Sequence, residues 1–197
     1  GKTEFLNLFK ESIDLEGIAN HRGSAFGGKH DGQPSQANFE NTLTLDYIKH
    51  SYDYLILEDE SRTIGRAGLP GLWYEKMQTS KLIILEVEND IRAENIYEEY
   101  IYKEIKSGFS EDILLKKYLG SLKNIKRRLG NKIYSEIKYL MENAFYNNEE
   151  ELHKEWILMI LLNYYDKMYN YKLDMRKDFI VYKGTSESCK DYINSMF

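Results

Sequence analysis

Three residues at the start of the chain have the pattern of a phosphate-binding loop. Gly1-Lys2-Thr3 comes directly before an amphipathic helical pattern, as do the last residues of a G-x-x-x-x-G-K-[ST] loop. In such a loop, backbone amides and a helix N-terminus surround a phosphate, the lysine bridges its oxygens, and the hydroxyl holds Mg²⁺. A glycine left by cloning would also explain the first residue, so this segment alone leaves both interpretations open.

Acidic side chains at the ends of two short apolar runs supply the second part of that chemistry. Glu58-Asp59 ends one run, and Asp14 and Glu16 lie at the end of another. In phosphoryl-transfer sites such carboxylates orient a metal ion or act as a base. We therefore predict catalytic roles for all four. A cap of a helix or loop is the alternative for Asp14 and Glu16.

A glycine-rich segment between these runs contains an adjacent histidine and arginine. Residues 17–34 hold five of the 13 glycines, together with His21 and Arg22. An arginine binds a diphosphate bidentately, and glycines allow the backbone to approach it closely. We predict that His21 and Arg22 bind a diphosphate leaving group. The alternative is an ion pair from Arg22 to Glu40 or Glu60 that only holds the segment in place.

The residues after the second acidic run complete the predicted site. Ser61 and Arg62 follow the acidic residues directly and suit a sensor of phosphate or metal, with Ser61 as a phosphate ligand. We predict a Mg²⁺ site with Thr3 and Asp59 as its protein ligands. Mg²⁺ usually takes only one or two ligands from the protein and the others from phosphate and water.

A basic stretch is the candidate surface for nucleic acid. Residues 116–138 carry eight basic side chains and one acidic one, a net charge of +7, in a chain whose net charge is −5. Phosphate contacts from such a face are independent of sequence and sensitive to salt. A solvated helix face, or arginines that close over a diphosphate, are the alternatives. The predicted RNA-binding residues are Lys123, Lys126, Arg127 and Arg128.

Composition places the chain among globular intracellular proteins. Hydrophobic residues make up 42% and charged residues 30% of its 197 residues. A single cysteine, Cys189, excludes an internal disulfide and favours the reducing cytoplasm. The longest apolar run, Trp156–Leu162, is too short to cross a bilayer, so we expect no membrane association.

The elements that must position these residues alternate between strand and helix patterns. Strand patterns at 12–15, 54–57, 81–87 and 179–182 alternate with helical ones, and 111–168 is almost wholly helical with breaks near Gly120, Gly130 and Asn147. Ser35 and Asn89 are predicted helix caps. The pattern predicts an α/β fold with a P-loop kinase-like parallel sheet and a helical insert. Its first strand would lie before Gly1.

The predicted division has two parts. Residues 1–110 and 178–197 form the P-loop α/β core, and residues 111–177 form a helical insert or lid, which contains the candidate surface for nucleic acid. This division places the phosphate-binding pattern in the core and the basic stretch in the insert.

The motifs together resemble the tRNA 2-selenouridine synthase family. The resemblance covers the chain from its first residue to Gly184 in the expected order, and it is carried by Leu15-Glu16-Gly17-Ile18-Ala19-Asn20-His21-Arg22-Gly23-Ser24-Ala25-Phe26-Gly27, Gln33-Pro34-Ser35-Gln36, Phe39-Glu40-Asn41, Leu57-Glu58-Asp59-Glu60-Ser61-Arg62, Ile64-Gly65, Leu69-Pro70, Met77, Ile125-Lys126-Arg127-Arg128-Leu129-Gly130, Tyr164-Tyr165-Asp166, Met168-Tyr169 and Tyr171.

The resemblance implies a transferase that acts on tRNA. It implies conversion of wobble 2-thiouridine to 2-selenouridine through an S-geranyl intermediate, with geranyl diphosphate and selenophosphate as substrates. It also implies a rhodanese-like domain with an essential cysteine, which this sequence does not contain. We therefore expect that this part of the protein is inactive in selenium transfer alone. Whether a nucleotide also binds stays open.

Two other functions remain as alternatives at this point. A P-loop kinase or NTPase acting on a small molecule explains the loop and the acidic residues equally well. A non-catalytic module that docks tRNA for a separate partner is the third possibility. The basic stretch and the His21-Arg22 segment favour the tRNA-modifying enzyme, since a small-molecule kinase needs no basic face of RNA size.

Overall fold

The computed structural model of the chain describes residues 2–196, so Gly1, a predicted phosphate ligand, lies outside the described residues. Contacts divide the chain into two compact units. One contains the residues up to Glu86 together with those from Asp178 onwards, and the other is Val87–Lys177. Residues 87–110, which the sequence analysis assigned to the core, are grouped with the second unit. The functional division into core and insert stays a prediction.

The strands of the first unit are short and pair two by two. They are β1 (Ser12–Ile13), β2 (Ile56–Leu57), β3 (Thr63–Ile64), β4 (Ala67–Gly68), β5 (Leu82–Leu85) and β6 (Ile180–Gly184). β1 pairs with β2 and β5 with β6 in parallel, whereas β3 and β4 form an antiparallel pair. A mixed α/β organisation with parallel pairing is thus confirmed. A single P-loop kinase-like sheet stays a prediction, since the described strands form three separate pairs.

The helices of the first unit cover two hydrophobic clusters. These helices are α1 (Lys2–Leu6), α2 (Leu15–Ala19), α3 (Gln36–Lys49), α4 (Gly71–Gln78) and α11 (Ser186–Met196). Leu15 and Phe39 are fully buried in the larger cluster, and Phe5 packs with Cys189 in the smaller one. The hydroxyl of Ser35 accepts a hydrogen bond from the Asn38 amide at 3.2 Å and caps α3, as predicted.

The second unit is helical. Its elements are α5 (Asn89–Tyr97), α6 (Lys103–Lys106), α7 (Glu111–Leu129), α8 (Asn131–Asn147), α9 (Glu150–Ile160) and α10 (Asp166–Met175), with π-helical segments at Glu98–Tyr102 and Leu161–Tyr165 and a 3₁₀ turn at Lys177–Phe179 where the two units meet in sequence. α7 packs against α8, and α9 packs against both α8 and α5. No helix of residues 2–196 is long and apolar enough to cross a membrane.

Three details of the helical unit test the predicted breaks and caps. The breaks at Gly130 (φ 81°) and beside Asn147 are confirmed. A break at Gly120 is wrong, because α7 runs through it. One glycine costs a helix only about 1 kcal/mol relative to alanine, and the buried face of α7 outweighs that. Asn89 is not the cap of α5: Glu88 occupies that position without a side-chain hydrogen bond.

Candidate functional site

The amine of Lys2 lies between two carboxylates. Its Nζ is 2.8 Å from Oε1 of Glu60 and 3.4 Å from Oε1 of Glu16. The lysine side chain is 49% exposed, whereas those of Glu60 and Glu16 are 7% and 15% exposed. The cation is therefore open to a ligand from solvent, while the two anions that hold it are not. Of these three residues, Lys2 and Glu16 were predicted for the site and Glu60 was not.

The acidic residues after β2 alternate between the interior and the surface. Glu58 and Glu60 are buried, and Asp59 between them is exposed. The Glu60 amide donates to the Glu58 carbonyl at 2.9 Å, so the backbone makes a tight turn centred on Asp59. The predicted pair is Glu58 and Asp59, but the pair that faces inward is Glu58 and Glu60. Strand periodicity does not identify Glu60, because the turn lies beyond the end of β2.

Glu58 is a buried carboxyl group whose pKa is raised. Glu58 is 3% exposed, and its Oε2 accepts a hydrogen bond from the Leu15 amide at 3.1 Å. Burial, and then the hydrogen bond to Asp14, raise the pKa of Glu58 to about 8. Asp14 also accepts a hydrogen bond from the Gly17 amide at 2.7 Å and caps α2. The cap role of Asp14 is thus present, and its catalytic role stays a prediction.

Glu16 titrates near neutral pH in this arrangement. Burial raises its pKa, Lys2 lowers it and the neighbouring Glu60 raises it, with a result of about 7. Two carboxylates thus share one ammonium group. Chemically, the cluster offers a cation that an anion from solvent reaches and carboxyl groups that hold or release a proton.

The segment from His21 to Gly28 folds back over these carboxylates. Its ends pair in an antiparallel bridge, and the Arg22 amide donates to the Gly27 carbonyl at 3.0 Å. Gly23 has φ +66°, and a Cβ there would lie 2.5 Å from Oε1 of Glu16. Only glycine fits this approach. Arg22 and His21 are partly buried, and their binding of diphosphate stays a prediction.

Gln33 joins the chain on either side of this segment to the β3–β4 turn, and it was not predicted as a site residue. Its Nε2 donates to the carbonyls of Ala19 at 3.0 Å and Ile64 at 2.8 Å, and its Oε1 accepts from the Arg66 amide at 2.7 Å. One side chain thereby joins three parts of the chain. The local signal in the sequence is the position of Gln33 between Gly32 and Pro34. That position predicts a turn, but it does not predict which residues Gln33 contacts.

The predicted sensor and metal residues lie at the surface. Ser61, Arg62 and Asp59 are exposed, and Thr3 is partly exposed. Over residues 2–196, no group of three or more His, Cys, Asp or Glu side chains is arranged to hold a metal ion. Asp59 is exposed and does not lie with the buried carboxylates of Glu58 and Glu60. Magnesium binding by Thr3 and Asp59 stays a prediction.

The four predicted RNA-binding residues divide into two classes on α7. Lys126 lies over the ring of Tyr134, with Nζ 4.8 Å from the ring centre. Arg128 donates to the Tyr164 hydroxyl at 3.2 Å. Lys123 and Arg127 are exposed and have no ion pair with any described residue. Lys123 and Arg127 are therefore available for a ligand, whereas Lys126 and Arg128 contact tyrosines.

Comparison with known proteins gives one consistent family. The family described as "tRNA 2-selenouridine synthase AAA domain" matches residues 1–197. The chain is 41% identical to the tRNA 2-selenouridine synthase of Shewanella sp. (strain ANA-3) and 39% identical to that of Shewanella halifaxensis, covering 99% of this chain and 57% of each relative. It is 38% identical to that of Shewanella oneidensis, over 100% of this chain and 56% of the relative.

The chain thus spans a little over half the length of these curated relatives. No solved structure matches it.

Proposed function

The chain belongs to the tRNA 2-selenouridine synthase family, and from that premise we propose that it is the phosphate-binding part of a tRNA-modifying transferase. The proposed reaction replaces the sulfur of wobble 2-thiouridine with selenium, through an S-geranyl intermediate. Its substrates are geranyl diphosphate and selenophosphate. The names of the relatives support the tRNA-modifying role.

Both proposed steps use a phosphate-bearing substrate. In the first, the thiouridine sulfur bonds to C1 of geranyl diphosphate, the C–O bond breaks and diphosphate leaves. In the second, selenium of selenophosphate bonds to C2 of the base and the geranylated sulfur leaves as a thiolate. Water then cleaves the selenium–phosphorus bond and phosphate departs. One anion site that accepts diphosphate and selenophosphate in turn therefore serves both steps.

One observation carries this proposal: the exposed amine of Lys2 lies between Glu16 and Glu60 and directly beside the segment that contains Gly23. A bound phosphate group replaces the two carboxylates as the partner of the Lys2 ammonium group. Arg22 and His21 stabilise the negative charge that develops on the leaving group. Glu16 and Glu58, whose pKa values are raised, hold protons next to it. Ser61 and Arg62 contact the outer phosphate oxygens.

The remaining parts of the protein take their roles from this chemistry. We propose that the first unit is a P-loop domain in which Gly1, Lys2 and Thr3 contribute to the phosphate cradle. The exposed cations of α7 bind the tRNA backbone. A rhodanese-like part elsewhere in the polypeptide handles selenium through its cysteine. Cys189 does not serve this purpose, because it is fully buried and burial raises the pKa of its thiol.

Binding of geranyl diphosphate by calorimetry tests the proposal. We expect Lys2→Ala and Arg22→Ala each to weaken binding about tenfold or more, since each removes a charge-assisted contact worth roughly 1.5–3 kcal/mol. Lys10→Ala, an exposed lysine of the same unit, is the control and leaves binding unchanged. No binding of geranyl diphosphate or tRNA, together with ATP hydrolysis, would favour the small-molecule kinase instead.

A further inference from the structure

Two tyrosines on α8 are exposed to an extent unusual for large aromatic side chains. Tyr139 is 68% exposed and Tyr146 is 85% exposed. Neither ring has an aromatic or cation contact with any residue in the described chain. Seven residues separate them, which is two helical turns, so both lie on the same face. Lys132 precedes Tyr139 by another seven residues, is exposed, and extends the same line.

This face points away from the core of the helical unit. The buried residues of α8 include Ile137, Met141 and Phe145. With 100° per residue, Tyr139 and Tyr146 lie on the opposite side of the helix from these. They therefore contribute little to the packing of the unit, and packing does not explain why they are aromatic.

A matching line of cations lies on α7. Its buried residues are Leu114, Tyr118, Leu122, Ile125 and Leu129. Lys116, Lys123 and Arg127 lie opposite these, all exposed and without an ion pair to a described residue. The spacing of seven and four residues keeps the three on one face.

The two lines lie on neighbouring helices of the same unit. α7 packs against α8, the two join at Gly130, and Lys126 near the end of α7 contacts Tyr134 near the start of α8. The chain therefore reverses at Gly130, so Lys123 and Tyr139 lie nearer this turn and Lys116 and Tyr146 lie farther from it. The exposed rings and the cations thus follow the same order along the helix pair.

We propose that Tyr139 and Tyr146 stack on unpaired bases of the RNA substrate while Lys116, Lys123 and Arg127 contact its phosphates. This rests on the proposed function. The local charge of +7 over residues 116–138 complements a polyanion. Aromatic side chains beside cations are the usual means of holding single-stranded RNA.

The spacing of the rings specifies the kind of RNA. Seven helical residues place the two tyrosines about 10 Å apart along α8. Adjacent bases in a duplex strand are separated by about 3.4 Å, so the pair does not match a regular stack. Bases splayed out of a loop span such a distance. The surface therefore recognises an unpaired loop, and paired stems contribute only phosphates.

Binding of the full chain to a fluorescent RNA hairpin with an unpaired loop, compared with a blunt duplex of its stem, tests this. We expect Tyr139→Ala with Tyr146→Ala to weaken hairpin binding about tenfold or more and duplex binding less than about twofold. The Phe substitutions retain hairpin affinity because they retain the ring. Tyr171→Ala, a 67% exposed tyrosine of the same unit, is the matched control.

The outcomes separate this inference from the proposed function. Hairpin binding that depends on Lys123 and Arg127 but not on the two tyrosines overturns the stacking role and leaves RNA binding intact. Failure of the wild-type chain to bind either RNA at low salt overturns both. An effect of the tyrosine variants on self-association alone, measured by sedimentation, shows that the face binds a second copy instead.

Discussion

At the scale of single residues, the site depends on competition for one ammonium group. Glu16 and Glu60 hold the amine of Lys2, for which a phosphate oxygen competes in the proposed function. A carboxylate and a phosphate both accept charge-assisted hydrogen bonds from an amine. The carboxylates thus keep the lysine positioned before the ligand arrives, and they also oppose its binding. On this proposal, the buried Glu60 affects how tightly Lys2 binds a phosphate. Its position next to the predicted pair Glu58-Asp59 did not indicate this role.

Neutralising Glu60 should shift that balance toward the ligand. We expect Glu60→Gln to tighten the binding of inorganic diphosphate severalfold, because the amide retains the shape but not the charge that competes for Lys2. Titration calorimetry at low salt measures the change. Glu75→Gln, an exposed acidic residue of the same unit, is the control. Weaker binding in Glu60→Gln would mean that Glu60 positions Lys2 more than it competes for it.

His153 makes the stability of the helical unit sensitive to acid. It is 2% exposed, and the Trp156 indole donates to its Nδ1 at 3.2 Å. Burial lowers its pKa from 6.5 to about 4. The unfolded chain therefore binds the proton more readily than the folded one, so this contribution to stability is fully present above pH 6.5 and declines as the pH falls toward 4.

The loss should be measurable by urea unfolding of the wild type at pH 7.5 and pH 5. We expect the His153 contribution to fall by about 2 kcal/mol between these two values. His153→Gln keeps an acceptor for Trp156 but does not titrate, and it should remove this part of the pH dependence. An unchanged pH dependence in the variant would show that other groups cause the acid sensitivity.

At the scale of elements, the segment from His21 to Gly28 acts as a fixed cover for the carboxylates. Gly23 allows its backbone to lie against Glu16. Gln33, which follows the segment, bonds to Ala19 before it and to Ile64 and Arg66 at the β3–β4 turn. This local order is built from side-chain-to-backbone hydrogen bonds, since the neighbouring strands are only two residues long.

Alanine substitutions at two glycines of this segment should differ in their effects on stability and on diphosphate binding. Gly23→Ala forces a Cβ at φ +66° to within 2.5 Å of Glu16, so we expect a loss of roughly 1–3 kcal/mol in stability and weaker diphosphate binding. At Gly28 a Cβ meets no atom within 4 Å, so Gly28→Ala should be nearly neutral. Thermal unfolding and calorimetry measure both variants. Equal effects at the two positions would contradict the fixed-cover role.

At the scale of the whole molecule, charge is strongly segregated along the sequence. Residues 116–138 carry +7, which leaves −12 for the rest of a chain of net charge −5. An overall negative charge therefore does not prevent RNA binding, because screening limits repulsion from distant charges to about 8–10 Å at physiological salt. The contact surface, and not the net charge, determines the interaction.

RNA affinity should consequently depend on salt through the exposed cations of α7. Each neutralised phosphate of a single strand contributes about −0.7 to the slope of log K against log salt. We expect Lys123→Gln and Arg127→Gln each to reduce the slope by roughly that amount. Lys167→Gln, an exposed lysine outside the basic stretch, should leave it unchanged. Fluorescence anisotropy over a salt series gives the slopes.

Local sequence patterns were enough to predict the family, most of the helices and the residue types of the candidate site. Family motifs, the Ser35 cap and the break at Gly130 are local, because each depends on neighbouring residues or on backbone preference. Lys2 and Glu16 were also identifiable from residue type and place.

Tertiary structure decided which of these groups meet and which face solvent. Glu60, not Asp59, faces Lys2, because the tight turn centred on Asp59 directs Glu60 inward. Lys126 and Arg128 are engaged by tyrosines that lie elsewhere in the helical unit. Contacts between residues far apart in sequence depend on how elements pack, and packing energy is shared among many side chains. No single segment of the sequence specifies it.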